Sequence, residues 1–357
     1  MLSKVEADYL IIGQGLAGTC LAHQFLQKGK SVKIIQNQDL PSSSKVAGGM
    51  FNPVTGKRLA RTWLLEETYD YLHTFYQDLE ISLNTKILHK IPLFRPYKNE
   101  NQKNQFIKAI VSKDLESILQ DIPVSESKTR TIKAPLGGIL TSKSGRLDVP
   151  LFLEKSAEYF NKKQIIHFEN FDHTELSIKK EYIEYKSVKY KNIIFCEGYH
   201  VKDNPLFNWL PFNPVKGETL DVTLTHEVNI TEIINQGAWL MPLGDNKYKM
   251  GSTYDWDNLN FEITEKAKDE ILEKSKNFLI PEPTIIAQSA GVRPAVEDRR
   301  PILGKHPKHS NIIIFNGLGT KGVSLAPYFS KQLAEYLING KEINPESTID
   351  RFYPLYS

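Results

Sequence analysis

Ala7-Asp8-Tyr9-Leu10-Ile11-Ile12 runs directly into Gly13-Gln14-Gly15-Leu16-Ala17-Gly18, and then into a helical stretch ending at Lys28. Leu10, Ile11 and Ile12 form an unbroken apolar segment, the pattern of a parallel strand buried on both faces. Ala17, Leu21, Phe25 and Leu26 recur at helical spacing, and Gly29 ends the run. Val32, Ile34 and Ile35 supply a second buried strand, which completes a βαβ unit of about thirty residues. In such a unit Gly13 permits a tight turn, Gly15 lets a pyrophosphate approach the backbone, and Gly18 lets helix and strand lie close. The free amides and positive dipole end of the helix then face the phosphates. A dinucleotide site is the expected outcome. The second strand ends in Gln36, where an acid would ordinarily accept hydrogen bonds from a ribose. An amide accepts one such bond and donates another, but brings no charge, which speaks less for NAD.

A second glycine cluster lies near the C-terminus. Asn311-Ile312-Ile313-Ile314-Phe315 reads as a buried strand, followed by Gly317-Leu318-Gly319-Thr320-Lys321-Gly322. A helix follows, with Leu325, Phe329, Leu333 and Leu337 on one face and Gly340 beyond it. The remaining residues hold no apolar strand, so a second βαβ unit cannot be completed. A strand, loop and helix facing the same cofactor from its other end is the better reading, with a plain tight turn as the alternative.

Composition narrows the class. Apolar residues make up 40% of the 357 and charged residues 24%, the balance of a globular enzyme long enough for two domains. A net charge of +3 does not by itself argue for nucleic acid. Two cysteines, Cys20 and Cys196, form neither a disulfide framework nor a metal cluster, which suggests a reducing, cytoplasmic setting. The first apolar run, Tyr9 to Ile12, is far too short for a secretory or membrane-spanning segment.

With both ends read, the chain resembles the D-amino acid oxidase superfamily of FAD-dependent oxidoreductases, which includes glycine oxidase and monomeric sarcosine oxidase. Several ordered motifs carry the resemblance. Ser42-Ser43-Ser44-Lys45-Val46-Ala47-Gly48-Gly49-Met50 is similar to the small-residue segment that runs beside the ribityl chain and flavin ring. Gly145-Arg146-Leu147-Asp148-Val149-Pro150 resembles the return into the FAD domain. Ile193 to Gly198, with Cys196, looks like the strand whose end passes the cofactor, and Ile165 to Leu176 like the segment that reads the adenine, which places Phe171 there. Gly237 to Pro242 and Tyr248 to Thr253 resemble paired strands of the substrate sheet. Ala290-Gly291-Val292-Arg293-Pro294 and Pro301 to Gly304 lead into the C-terminal cluster.

The resemblance implies non-covalent FAD, since the cysteine that sarcosine oxidases use near the Arg293 stretch has no counterpart here. The implied cofactor contacts are Gly13, Gly15, Leu16, Ala17, Gly18, Gln36, Ser43, Ser44, Gly48, Gly49, Met50, Phe171, Cys196, Gly198 and Arg293. Gly317, Gly319, Thr320, Lys321, Gly322 and Val323 complete the set. Hydride transfer from an amine's α-carbon to flavin needs orientation more than acid–base help. Arg293 is implied to pair with a substrate carboxylate, a task suited to a planar guanidinium, or else to brace the domain junction. Trp239 stands where glycine oxidase has a tyrosine, and is either a pocket wall or a core residue. Lys249 matches a lysine that assists oxygen reduction, or faces water on an alternating strand. The basic stretch Asn84 to Ile110, with Lys86, Lys90, Arg95, Lys98, Lys103 and Lys108 against Glu100, could touch RNA or an acidic substrate, with a wetted cap surface as the plainer expectation.

The expected fold is α/β: a Rossmann-like FAD domain from residues 1–85, 145–213 and 291–357, with a mostly antiparallel α+β substrate domain from 86–144 and 214–290. The expected function is oxidation of a small amino acid or N-alkyl amino acid to an imine, with oxygen or another electron acceptor taking the electrons. Two alternatives stand beside it. One is a flavin oxidase acting on a glycine-like group of modified tRNA, since the segment Asn52 to Leu79 and the Gly137-Gly138 loop resemble that oxidase domain. The other is a flavin-binding sensor without turnover.

Overall fold

The computed structural model describes residues 5–56, 58–123, 131–225 and 230–356. Five parallel strands form its nucleotide-binding sheet, in the order Ile166–His167, Val32–Ile35, Ala7–Ile12, Val188–Phe195 and Ile312–Asn316. Ile302–Lys305 adds an antiparallel edge to the last of these, and a hairpin of Leu176–Ile178 and Ile183–Tyr185 pairs with the start of Val188–Phe195. The first strand is buried on both faces, as its unbroken apolar run requires. Tyr9 and Ile11 join one core, with Leu21 and Phe25 of the helix Leu16–Gln27 and with Phe329 and Leu333 of the helix Gly322–Asn339. Leu10 and Ile12 join the core on the opposite face. Leu10 and Ile11 are fully buried, and each contributes about 1.5–3 kcal/mol of apolar transfer.

The second large sheet is antiparallel except at one pair. Its order is Thr284–Arg293, Val215–Thr223, Lys247–Gly251, Trp239–Gly244, Ile233–Asn235, Leu93–Pro96, Gly138–Thr141 and Leu119–Ile122, with Ile233–Asn235 parallel to Leu93–Pro96. Side chains alternate between its faces. Leu220, Val222, Ile234, Leu240, Tyr248 and Met250 pack on one face with Ile271, Phe278 and Leu279. Ile271 belongs to the helix Glu265–Ser275, which also buries Ala267 and Ser275 and wets its other faces. The strand Thr284–Arg293 runs past Gly291, so the chain leaves this sheet only after Arg293 and not at the boundary expected at 291. A three-stranded sheet of Met50–Phe51, Gly145–Leu147 and Leu88–Lys90 lies between the two large ones in sequence.

The two large sheets meet across the segment 43–50. A Cβ on Gly291 would lie 2.6 Å from Val46 Cγ2 and 3.2 Å from Ser43 Cα, so the bare backbone of the antiparallel sheet rests directly on that segment. Among the described residues no helix is long and apolar enough to cross a membrane, and no group of side chains could hold a metal ion.

Candidate active site

The first glycine loop is built by close packing. Gly13 has φ +98, and a Cβ there would lie 2.6 Å from the carbonyl oxygen of Cys196 on the neighbouring strand. A Cβ on Gly18 would fall 1.9 Å from the Gly13 carbonyl oxygen. Gly15 differs, since its nearest neighbour would be Ser44 Oγ at 3.3 Å, and the space beyond is open. Gly15 caps the helix Leu16–Gln27 without a side-chain hydrogen bond, and the first turn has no acid. Ser44 Oγ accepts from Leu16 N at 3.3 Å. At the other end Lys321 caps Gly322–Asn339, again with no side-chain cap and no acid in the first turn. Both helix starts therefore present positive ends to one space.

That space is a cavity of about 1020 Å³, at the upper end of the ~300–1,000 Å³ typical of ligand pockets. Of the residues expected at the cofactor, Gly13, Gly15, Leu16, Ala17, Gln36, Ser43, Ser44, Gly48, Gly49 and Met50 line it, as do Phe171, Cys196, Gly198 and Arg293. Gly319, Thr320, Lys321, Gly322 and Val323 line it from the C-terminal cluster. Gly18 and Gly317 do not. Gly18 is spent on helix–strand contact, and Gly317, at φ +75, lies where a Cβ would strike Val296 Cγ2 at 2.8 Å. Gln36 reaches the cavity, but its Oε1 accepts from Gln14 N at 2.5 Å and its amide nitrogen turns to the Asn37 carbonyl. Burial, with Arg300 and Arg299 nearby, pulls the Lys321 ammonium below its ordinary range, which marks a cation held in a desolvated place. Glycine cradles and two helix starts whose own N-cap residues make no side-chain cap, aimed into one long cavity, fit the pyrophosphate and flavin of FAD.

Arg293 ends its strand inside this cavity. Its Nη2 donates to Ser252 Oγ at 3.0 Å, and its Nη1 reaches the Lys216 and Thr253 carbonyls, both at 3.4 Å. The guanidinium lies over Gly217, where a Cβ would be 2.1 Å from Nη2, and under the Tyr254 ring, 4.8 Å from its centroid. Burial lowers its pKa. Among the described residues it has no carboxylate partner. Trp239 also lines the cavity, half-buried, with its indole against Gly48.

Lys249 corrects an expectation. It shares the cavity-facing side of the sheet with Trp239 and Met241, but does not line the cavity. Its ammonium lies 2.6 Å from Asp221 Oδ1 on the neighbouring strand. The contact is coulombic only, since Oδ1 accepts no properly directed hydrogen bond from a described donor.

Other lining residues were not expected. Arg95 and Lys98 line the cavity, so for these two the plainer expectation of a wetted cap surface does not hold; Lys86 does pair outward with Glu80. The strand pattern Leu93-Phe94-Arg95 placed Arg95 on the same face as Leu93, a signal present in the sequence. Thr219 carries a buried hydroxyl with no hydrogen-bond partner among the described residues. Glu197 is the other unexpected group. Its Oε2 accepts from Asn204 Nδ2 at 2.7 Å and its Oε1 lies 4.0 Å from His173 Nε2. Burial is the main cause of its carboxyl being pushed up to about 7, with Asp203 adding to the rise. His173 in turn meets the Phe171 ring edge-on, with centroids 5.0 Å apart.

Comparison with known proteins agrees with this geometry. The model of the FAD dependent oxidoreductase family, DAO, matches residues 8–336. Glycine oxidase of Bacillus subtilis (strain 168) is 26% identical over 138 residues, 38% of this chain and 37% of that one. The tRNA 5-methylaminomethyl-2-thiouridine biosynthesis bifunctional protein MnmC of Actinobacillus pleuropneumoniae serotype 5b (strain L20) is 20% identical over 381 residues. That match covers 94% of this chain and 56% of the bifunctional protein, so the chain spans about half of that relative's length. The crystal structure of glycine oxidase from Bacillus cereus ATCC 14579 superposes with a TM-score of 0.79 at 20% identity, covering 94% of this chain and 96% of that one. The chain thus belongs to the DAO family of FAD dependent oxidoreductases, an enzyme family whose cofactor the two glycine loops are shaped to hold.

Proposed function

We propose that this chain oxidises the C–N bond of a small amino acid or N-alkyl amino acid to an imine, with the substrate carboxylate held by Arg293. One observation carries the reading: a half-buried guanidinium, fixed by Ser252 and by the bare backbone of Gly217, opens into the cavity with no acidic partner among the described residues. Removing one charge from water costs several kcal/mol unless an opposite charge meets it. A substrate carboxylate supplies that charge, and a planar fork fixes its orientation as well as its position. FAD held at the two glycine loops, by Gly13, Gly15 and residues 319–322, would supply the hydride acceptor for the carbon that bears the nitrogen. The protein orients that carbon through Arg293, and Trp239 closes the adjacent wall against Gly48. Oxygen is the proposed final acceptor, giving peroxide.

Anaerobic mixing tests the reading. The yellow holoprotein bleaches with a suitable amino acid and recolours in air; recolouring only with a quinone or dye makes it a dehydrogenase. Bleaching by no member of a panel of glycine, sarcosine, proline and D-amino acids removes support for a small substrate.

A second reading has its own observation. The match to the tRNA-modifying relative runs over 94% of this chain, against 38% for glycine oxidase of B. subtilis, and Arg95 and Lys98 line the cavity. Salt-sensitive binding of tRNA would favour it. The sensor alternative has no comparable support, since the cavity is open and Arg293 stands in it.

A further inference from the structure

Five residues from five neighbouring strands form one row across the cavity-facing side of the antiparallel sheet. Thr219 pairs with Gly251, Gly251 with Trp239, and Trp239 with Asn235. One step beyond the Ile234 and Phe94 pair, Asn235 stands beside Arg95. Leu93, Ile233 and Met241, each two residues from a member of this row, cluster together with Trp239 against them, which fixes the shared face. Arg293 reaches the same row from the other side, through its bond to Ser252 next to Gly251. Two arginines therefore flank Trp239, one at each side.

Arg95 is as poorly matched as Arg293. It is half-buried, it lines the cavity, and its one described partner is the Gly56 carbonyl, to which Nη1 donates at 3.0 Å. No carboxylate pairs with it among the described residues. Among the described residues, two carboxylates line the cavity, Glu197 and Asp203, and both follow the strand Val188–Phe195 in the nucleotide-binding sheet, so the charged groups that the described antiparallel sheet offers the cavity are cations.

We propose that Arg95 binds a second anionic group of the substrate, so that the amine oxidised carries two acidic groups, one on each side of Trp239. The proposal rests on the reading of Arg293 as the first carboxylate anchor and extends it. Three strand spacings separate the Gly251 strand from the Arg95 strand, roughly 14 Å between backbones. The Arg293 guanidinium lies over Gly217 and bonds Ser252 beside the Gly251 strand, so the Arg95 side chain must narrow the gap for a short aliphatic spacer between the two acids to span it over the indole.

The test uses the FAD-loaded protein and the shift that bound carboxylates produce in the flavin absorption spectrum. Two series are titrated: monocarboxylates from acetate to hexanoate, and dicarboxylates from malonate to adipate. At least one dicarboxylate is expected to bind tenfold or more tightly than the monocarboxylate of equal length. Arg95→Gln is expected to abolish that advantage and leave the monocarboxylates within about twofold. Arg293→Gln is expected to weaken both series. If no dicarboxylate outbinds its partner in the unaltered protein, the second site is overturned, whatever the folding of the Arg95 variant. In that case, loss of monocarboxylate binding in Arg293→Gln leaves the first anchor standing. If Arg293→Gln changes neither series, both readings fall. If bulk tRNA shifts the spectrum at lower concentration than any dicarboxylate, and Arg95→Gln removes that shift, the second anion belongs to nucleic acid and the small-molecule proposal is overturned.

Discussion

Trp239 rests directly on Gly48: a methyl group there would lie 2.8 Å from the indole Cη2 and 3.3 Å from Cζ2. This contact joins the antiparallel sheet to the small-residue segment at the point where flavin and substrate are proposed to meet. Gly48→Ala is expected to tilt the indole and slow flavin reduction by about tenfold, roughly 1.4 kcal/mol of barrier. FAD affinity should change by less than about threefold. Trp239→Phe, which shortens the ring at the clash, should recover most of the loss in the double variant. Independent, additive losses in stopped-flow reduction would show that the two residues do not act through this contact.

Gly15 and Gly18 belong to one fingerprint, but the structure separates their tasks. A Cβ on Gly15 meets nothing closer than Ser44 Oγ at 3.3 Å, and Gly15 has an ordinary φ of −75. Gly15→Ala is therefore expected to fold normally, with an apoprotein Tm within about 2 °C of the parent, and to lose FAD affinity by about tenfold or more. Gly18→Ala places a methyl 1.9 Å from the Gly13 carbonyl oxygen and should cost several kcal/mol of stability before any cofactor is added. Melting curves and FAD titrations measured side by side decide it; a destabilised Gly15→Ala apoprotein would contradict the assignment.

Both glycine loops were legible because they are local: strand, loop and helix adjoin in the chain, and spacing alone aligns their amides. Gly13 and Gly15 line the cavity as their spacing implied, whereas Gly317 serves packing against Val296. What spacing could not supply was pairing between distant strands. Arg95 reaches Trp239 only through Ile233–Asn235, a strand about 140 positions further along the chain. Lys249 shows the same limit from the other side. Alternation suggested a water-facing side chain, whereas Lys249 stands on the cavity-facing side, and its partner Asp221 lies on a neighbouring strand that the pattern of residues 247–251 does not reveal. Glu197 was hidden by its neighbours, since a charged residue between Cys196 and Gly198 gives no sign that its carboxyl is buried beside Asn204.

Glu197 sets a pH dependence. Its carboxyl is pushed up to about 7 in the folded chain from an ordinary value of 4.5, chiefly by burial. The folded state thus holds the proton more tightly, so this group's contribution is fully present below about pH 4.5 and is lost as pH rises to about 7. His306 and His23 act in the opposite sense. Burial lowers them to about 4 and about 3, so their contributions are present above pH 6.5 and are lost as pH falls. The difference in apoprotein Tm between the parent and Glu197→Gln isolates the carboxyl: the parent should lose ground to the variant between pH 4.5 and 7, then run parallel to it. A flat difference across that range would place the carboxylate in contact with water.

The Lys249 and Asp221 pair gives the last test, because a structural and an oxygen-activating lysine fail in different ways. Their charged ends are 2.6 Å apart, with side chains 15% and 32% exposed, so the pair is part-shielded rather than fully buried. Lys249→Met strands the Asp221 carboxylate on a partly desolvated face and is expected to cost about 1–2 kcal/mol of stability. Adding Asp221→Asn removes the stranded charge and should restore most of it. Reoxidation of reduced flavin by oxygen is expected to stay within about twofold in both variants, because the ammonium is engaged away from the cavity lining. A Lys249→Met protein that melts normally but reoxidises more than tenfold slower would return the lysine to the flavin, and would mean that the ion pair opens during turnover.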